Sequence, residues 1–296
     1  MHVTLSRTTL TTLAAGALAA CVLTAGTASA ENEAVSYGID EFSSQCGSSD
    51  LSRSITFAEN FDEVFDNWIS EGKWGQSSLK TDANVDDYDW TDASKQGWGD
   101  DNDDNRGADH ADVAFISTHG VSPTGGAYTS IKMGDATTSG EGGNDVCSVR
   151  TDNHMHFGSD GGDLEIVILA ACETGQYKVW DNGNYDGSRH RDGRLRTWLG
   201  FHGISYDTLA GRITDYAESS YYNGLGDNWI DEMYRNRWGS DNDECPTSII
   251  YGESTSEMNS QHDYGGFNDR NKSGTVKNKR KIFYIDGCDP KSAPEL

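Results

Sequence analysis

The stretch Asp112-Val-Ala-Phe-Ile-Ser-Thr118 runs directly into His119-Gly120, and a second apolar stretch, Leu164-Glu-Ile-Val-Ile-Leu-Ala-Ala171, runs directly into Cys172. Short, nearly continuous apolar runs are typical of strands that are buried on both faces of a parallel sheet. Each run therefore predicts a buried strand ending at one reactive side chain. Because ligands of α/β proteins bind at the carboxyl ends of parallel strands, we expect His119 and Cys172 to lie together at that edge.

The sequence around these two runs alternates helix-like and strand-like segments. Asp207 and Asp227 each precede a helical period and are typical helix caps. The predicted helices cover 57–72, 207–217 and 227–238, and the predicted strands cover 34–39, 112–118, 164–171, 197–201, 248–251 and 281–285. This order predicts a single α/β domain with a largely parallel sheet flanked by helices.

Two polar regions interrupt the alternation. Residues 121–162 are rich in Gly, Ser, Thr and Asp, and we expect a short strand or hairpin at 128–133 but no helix, although a parallel crossover normally holds one. Residues 253–279 are polar as well and predict a long loop.

Residues 1–30 have the pattern of a secretory signal peptide. Arg7 is the only charged residue, an apolar stretch too short to span a bilayer follows it, and Ala28-Ser-Ala30 is a typical cleavage site before Glu31. The domain is therefore expected to cover residues 31–296 of a secreted, extracellular protein. Leu18-Ala-Ala-Cys21 offers an alternative, because it has the form of a bacterial lipoprotein box that would anchor the protein through Cys21. No later segment is long enough to be predicted as a transmembrane span.

Five cysteines follow the predicted leader, and exported proteins usually pair their cysteines. Four of them lie in polar, turn-like sequence and suit two disulfides in one of three connectivities: Cys46, Cys147, Cys245 and Cys288. Because five is odd, Cys172 is expected to be the free thiol. The alternative is that Cys172 is only a small buried apolar residue at the end of a strand.

The chain is strongly acidic, with a formal net charge of −25 at pH 7. Such a surface repels nucleic-acid phosphates and anionic lipids, so neither is an expected partner. A peptide or protein substrate is expected instead, and the charge favours a basic residue in it. The oligomeric state stays open.

The acid-rich residues 81–112 carry two interpretations. Clustered carboxylates suit a calcium ion, and the candidate ligands are Asp100, Asp101, Asp103 and Asp104. Their spacing matches no known loop motif, so the sequence favours a solvated acidic loop that Trp90 and Trp98 hold partly packed.

Three further patterns in the sequence have possible functional interpretations. His154 and His156 stand two residues apart, so they could share a strand face and bind zinc in a metal-dependent hydrolase, although no third ligand is in view. His202-Gly203 repeats the His-Gly pair after another apolar run. The basic residues 189–196 are expected to neutralise the acidic loop or, alternatively, to bind an acidic group of a substrate.

A thiol beside an imidazole is a pattern with a defined chemistry. A thiol is a weak nucleophile until it loses its proton, and a histidine near neutral pKa is its natural base. Gly120 would allow close approach of the backbone, and the N–H groups of Gly120 and Cys172 could form an oxyanion hole.

The two-part motif resembles the cysteine peptidase clan of caspases, legumains, gingipains, clostripains and separases. The matching residues are Ile116-Ser-Thr-His119-Gly120 and Leu169-Ala-Ala-Cys172, 53 positions apart from His119 to Cys172, where caspases place the two about 50 apart. Ala171-Cys-Glu-Thr-Gly175 is most similar to the bacterial CHAT group. The resemblance covers residues 112–175, and the chain lacks the Gln-Ala-Cys-x-Gly pentapeptide of caspases.

The resemblance implies a caspase–hemoglobinase-like fold and cysteine endopeptidase activity. His119 would be the general base and acid, Cys172 the nucleophile that forms an acyl-enzyme, and no cofactor would be required, while calcium stays an open expectation. The alternative function is a catalytically silent relative that uses the same fold as an extracellular binding module.

Overall fold

A seven-stranded mixed sheet and a small three-stranded sheet make up the strands of the described chain. The computed structural model describes residues 32–44, 46–103, 107–123, 126–134, 146–158, 161–181, 193–234, 244–269, 279–285 and 288. The large sheet holds β1 (Glu33–Gly38), β2 (Gln76–Thr81), β3 (Val113–Ser117), β7 (Ile166–Ala170), β8 (Thr197–Phe201), β9 (Pro246–Gly252) and β10 (Lys279–Tyr284), and the small one holds β4 (Gly120–Val121), β5 (Ser130–Lys132) and β6 (Ser148–Arg150).

The large sheet has the strand order β10-β9-β8-β7-β3-β1-β2. The five strands from β2 to β8 run parallel, whereas β9 pairs antiparallel with β8 and β10 antiparallel with β9. The predicted α/β class with a largely parallel sheet is confirmed. The expected strands at 112–118 and 164–171 are β3 and β7, and every residue of both strands is buried.

The described helices are α1 (Ser54–Ser70), α2 (Tyr177–Asp181), α3 (Arg212–Ser219), α4 (Leu225–Met233) and α5 (Thr255–Tyr264). Helices α1, α3 and α4 cover one face of the large sheet, whereas Val179 and Trp180 of α2 belong to the apolar cluster on the opposite face. The apolar stripe of α1 packs on β3, with the rings of Phe61 and Phe115 stacked 4.7 Å apart. Residues of α3 and α4 complete this side of the core with Tyr216 and Trp229. No described helix is both long enough and apolar enough to cross a membrane.

The opposite face of the sheet is covered by the acidic segment and the small sheet. Trp90, Ile131, Val149 and Phe157 are fully buried there and join the strand residues in a second apolar cluster. The small sheet confirms the expected short strand near residues 128–133, and no helix lies in the described residues between β3 and β7.

The expectation of a solvated acidic loop is wrong for much of the segment. Asp89, Asp101 and Asp109 are at most 3% exposed. Asp89 forms an ion pair with Lys80 at 2.8 Å, and Asp109 accepts a hydrogen bond from the Gly158 amide. Buried carboxylates persist when backbone amides or a cation compensate them. Gly158 acts through its backbone, and Lys80 lies just before the acid-rich segment, so a charge count within the segment reveals neither partner.

The basic run does not neutralise that segment where it is described. Arg196 is buried and pairs with Glu165 at 2.6 Å, and Arg194 pairs with Asp163. Residues 189–192 lie outside the described chain.

Three helix predictions need correction. The helix expected at 207–217 begins at Arg212, after a single 3-10 turn over Asp207–Leu209. The helix expected at 227–238 covers Leu225–Met233, and Gly224 in the left-handed conformation precedes it, so that Asp227 lies in the first turn. Residues 235–238 of the predicted helix lie outside the described residues.

The third correction concerns residues 253–279, where α5 replaces part of the expected loop. Ser254 Oγ accepts the Glu257 amide at 3.2 Å, and Glu257 accepts the Glu253 amide at 2.8 Å. The Ser254-x-x-Glu257 spacing is that of a capping box, with the Glu257 carboxylate on the amide before the cap residue and not on that of Ser254, and the weak apolar periodicity of the segment concealed this start signal.

Both predicted disulfides are present, as Cys46–Cys147 and Cys245–Cys288. Cys172 is the free cysteine among the five that the described chain contains, as expected. Residues Glu31–Leu296 form one compact unit. The signal-peptide and Cys21 predictions lie outside the described residues.

Candidate functional site

His119 and Cys172 follow two neighbouring strands of the large sheet. In the parallel β3–β7 pair, Val113 lies opposite Ile166 and Ser117 lies opposite Ala170. His119 and Cys172 are each two residues beyond that last pair, so the structure brings their segments to the same edge at the same level.

Gly120 packs directly against the backbone of Cys172. A Cβ atom at position 120 would stand 2.0 Å from the Cys172 carbonyl oxygen and 2.7 Å from the Cys172 nitrogen. Only glycine fits this distance without a shift of one of the two backbones. The sequence analysis predicted that Gly120 lets the backbone approach a substrate. In the structure, the close contact is between Gly120 and the backbone of Cys172.

The Cys172 thiol is largely surrounded by backbone. Its Sγ atom accepts the Ser205 amide at 3.4 Å and lies 3.7 Å from the Ser205 carbonyl oxygen, and the nearby amides of Gly120 and Cys172 favour the thiolate. Burial raises the pKa of the Cys172 thiol above its ordinary value, and the neighbouring Glu173 carboxylate raises it further, while these amides oppose the shift. The resting thiol is therefore protonated at neutral pH.

His119 is fixed by a backbone carbonyl. Its Nε2 atom lies 2.7 Å from the Ser49 oxygen, and its ring packs on Phe42 with a centroid distance of 4.9 Å. A carbonyl oxygen only accepts hydrogen bonds, so Nε2 carries the proton and Nδ1 keeps a free electron pair. Ser49 belongs to the segment that the Cys46–Cys147 disulfide ties down.

The two loops that follow β3 and β7 are joined by side chains. Glu173 Oε2 accepts the Ser122 amide at 2.7 Å, and the Ser122 hydroxyl lies 2.7 Å from Gln176 Oε1 and 2.9 Å from the Tyr128 carbonyl oxygen. Glu173 has a positive φ of 58°, which is rare for a residue with a side chain. Burial raises the pKa of the Glu173 carboxyl.

Sequence reasoning did not identify Ser49, Ser205 or Glu173 as parts of the site. Glu173 stands beside Cys172 and could have been found by that position alone. Ser49 and Ser205 act through backbone atoms, which no residue pattern marks.

A family model described as "Domain of unknown function (DUF6345)" matches residues 36–280 of the 296. The chain belongs to the DUF6345 family. The matched range includes His119, Cys172, Ser49 and Glu173. No curated protein matches the sequence.

Among solved structures, this DUF6345 chain is similar at low identity to the crystal structure of protein GSU0716 from Geobacter sulfurreducens. That structure is 11% identical, with a TM-score of 0.40, and the alignment covers 70% of this chain and 90% of that chain.

The second histidine of the DUF6345 chain at this edge has a different task. His202 follows β8, on the other side of β7 from His119, and is buried. Its Nδ1 atom accepts the Tyr177 amide at 2.9 Å, so this nitrogen satisfies the first N–H of α2.

The zinc site predicted at His154 and His156 has no ligand cluster in the described part of the DUF6345 chain. His154 Nδ1 accepts the Arg150 amide at 2.9 Å, and burial first, then Arg150, lowers the pKa of His154. His156 Nδ1 lies 3.6 Å from an Asp92 oxygen. No group of three His, Cys, Asp or Glu side chains in the described chain could hold a metal ion.

The aspartates predicted to bind calcium differ in their exposure to solvent. Asp101 is buried, Asp100 is exposed, and Asp104 lies outside the described residues. One Asp101 oxygen, Oδ2, has no hydrogen-bond partner, and burial together with Asp92 raises the pKa of Asp101 to about 8. Calcium binding by Asp100, Asp101, Asp103 and Asp104 stays a prediction.

Proposed function

We propose that the protein is a secreted cysteine endopeptidase with a caspase–hemoglobinase-like fold, in which Cys172 is the nucleophile and His119 the general base and acid. The observation that carries the proposal is the register of β3 and β7, which sets the His119 segment beside the one unpaired thiol among the described cysteines. The two disulfides are compatible with an extracellular protein.

The first half of the reaction forms a thioester. His119 Nδ1 takes the thiol proton as Sγ bonds to the carbonyl carbon of the substrate. The oxyanion then accepts from the N–H groups of Gly120 and Cys172, which lie near the sulfur. When the C–N bond breaks, the imidazolium of His119 gives its proton to the leaving amine.

The second half of the reaction restores the enzyme. A water molecule loses a proton to His119 and attacks the thioester carbonyl, the C–S bond breaks, and the sulfur regains its proton from the imidazolium. The Ser49 carbonyl supports both halves because it stabilises the imidazolium and holds the ring in the tautomer with Nδ1 free.

The test is hydrolysis of fluorogenic peptides with Arg, Lys, Asn, Asp or Leu at the cleavage position. Wild type is compared with Cys172→Ala and His119→Ala, each with calcium and with a chelator. His202→Ala is the matched control, since it removes the other His-Gly histidine at the same edge. We expect loss of activity of about 10³-fold or more for the first two variants, whereas His202→Ala keeps cleavage. Equal activity of wild type and Cys172→Ala would refute the proposal.

The alternative function is a binding module with an inert thiol. Its support is the raised pKa of Cys172, since buried structural cysteines have raised pKa values and react slowly. Alkylation by iodoacetamide without denaturant separates the two functions. A peptidase thiol reacts with native protein and is protected by bound peptide, while an inert thiol reacts only after unfolding.

A further inference from the structure

Glu173 occupies a costly position for a glutamate. It directly follows the nucleophile, its φ is 58°, and its amide donates to the Gly203 carbonyl at 2.7 Å. Glycine or asparagine adopts this backbone conformation more easily. A long acidic side chain in a conformation that disfavours it suggests that the side chain itself has a task.

The contact of the Glu173 carboxylate indicates what that task is. Its Oε2 atom accepts the amide of Ser122 at 2.7 Å, and Ser122 lies three residues beyond His119. The hydroxyl of the same serine lies 2.7 Å from Gln176 Oε1, in the loop that carries Cys172, and 2.9 Å from the Tyr128 carbonyl oxygen. The segment 119–122 is thereby held by β3 before His119, by the pairing of β4 with β5 within it, and by the loop after β7 at Ser122.

We propose that Glu173 is a positioning residue, whose carboxylate fixes the segment that carries His119 against the loop that carries Cys172. The consequence for turnover rests on the proposed peptidase function, whereas the positioning itself can be measured without any substrate. A displacement of about 1 Å in a reacting group can lower a rate about 100-fold, so a single hydrogen bond at this place has a large effect.

The charge of Glu173 has a second, separable effect on the thiol. The groups around Sγ are the amides of Gly120, Cys172 and Ser205, together with the Glu173 carboxylate. Two histidines belong to adjoining segments: His119 after β3, and His202 after β8 with Nδ1 on the Tyr177 amide. Removal of the Glu173 charge lowers the pKa of Cys172, whether or not the hydrogen bond to Ser122 survives.

Two substitutions separate these effects. Glu173→Gln keeps an acceptor oxygen at the same length and loses the charge. Glu173→Asn suits the positive φ but is one methylene too short to reach Ser122. Glu173→Gly, which also suits the backbone, replaces Glu173→Asn if that variant does not fold. Glu63→Gln removes an exposed acid on α1 and is the control.

Three readouts are measured on the full chain. We expect the Ser122 amide to exchange its hydrogen about tenfold faster or more in Glu173→Asn but at the wild-type rate in Glu173→Gln. The pH profile of Cys172 alkylation by iodoacetamide moves to lower pH in both variants. For peptide cleavage, kcat falls about 10- to 100-fold in Glu173→Asn with KM little changed, and Glu173→Gln restores it.

The results of these measurements test the positioning role of Glu173 separately from the peptidase proposal. Unchanged Ser122 exchange and unchanged kcat in Glu173→Asn would overturn the inference. If exchange and alkylation change as expected while wild type cleaves no peptide, the positioning role stands and the peptidase proposal fails.

Discussion

At the scale of single residues, the site depends on contacts between backbones. Gly120 has no room for a side chain, Ser49 contributes a carbonyl and Ser205 an amide. His119 and Cys172 could be predicted because chemistry restricts their residue types. Ser49 and Ser205 could not, since any residue other than proline supplies the same backbone groups.

A methyl group at position 120 tests this close packing. We expect Gly120→Ala to push the His119 segment away from Cys172, because the new Cβ would meet the Cys172 backbone at 2.0 Å. The expected result is a loss of peptide cleavage of about 100-fold, measured as kcat. The rate at which iodoacetamide alkylates Cys172 should also differ from that of wild type.

Gly211→Ala is the matched control for Gly120→Ala. A Cβ atom at Gly211 meets nothing within 4 Å, and this glycine precedes α3 in a right-handed helical conformation. Normal activity of Gly120→Ala would contradict the packing argument, and reduced activity of both variants would indicate a general loss of stability.

At the scale of elements, the strands beneath the site could be predicted far better than their surroundings. β3 and β7 are buried on both faces, so their sequences are continuous apolar runs. β2 was not predicted, because this edge strand is largely polar and exposed. α5 was missed because it lacks a clear apolar face, and helix starts were displaced where Gly224 took the place of a polar cap.

A buried ion pair holds the opposite end of β7 and β8. Arg196 and Glu165, which immediately precede these strands, are 5% and 2% exposed in their side chains. Removing one partner of such a pair leaves an uncompensated buried charge, which costs about 3–5 kcal/mol. We expect Arg196→Met to lower the free energy of unfolding in urea by about that amount.

Arg194→Met provides the comparison within the same segment. Arg194 and its partner Asp163 are 41% and 35% exposed, so solvent screens their interaction and the expected loss is below about 1 kcal/mol. Similar losses for both arginines would show that the Arg196 pair is not specially dependent on burial.

At the scale of the whole molecule, the buried aspartates make the folded state less stable as pH rises. Burial raises the pKa of Asp62 and of Asp89 to about 6, and burial with Asp92 raises that of Asp101 to about 8. An aspartate in an unfolded chain has a pKa of about 3.9. The folded state therefore binds more protons between these values, and its stability falls as pH rises from about 4 to about 8.

The prediction for pH dependence concerns Asp101. We expect Asp101→Asn to remove the fall in the free energy of unfolding between about pH 6.5 and 8.5, measured by urea denaturation. Asp62→Asn is the control, because Asp62 releases its proton at about pH 6 and affects mainly lower pH. The lowered pKa values of His154 and His262 act in the opposite sense, but only below about pH 6.5.

An equal fall in wild type and Asp101→Asn would contradict this assignment. The same titration with calcium tests the calcium prediction, because a cation bound only to the folded state raises the free energy of unfolding. A calcium effect that Asp101→Asn abolishes would support a site at that residue.

The placement of the five cysteines along the chain has a consequence for biosynthesis. Cys46 and Cys147 are both synthesised before Cys172, whereas Cys245 and Cys288 follow it. In a secreted chain that crosses the membrane from its amino terminus, the ring that contains His119 can therefore close before the reactive thiol has crossed. The second ring must close while that thiol is present, and thiolates exchange readily with disulfides. Mispairing is thus expected mainly among Cys172, Cys245 and Cys288, because Cys172 competes for the two cysteines made after it.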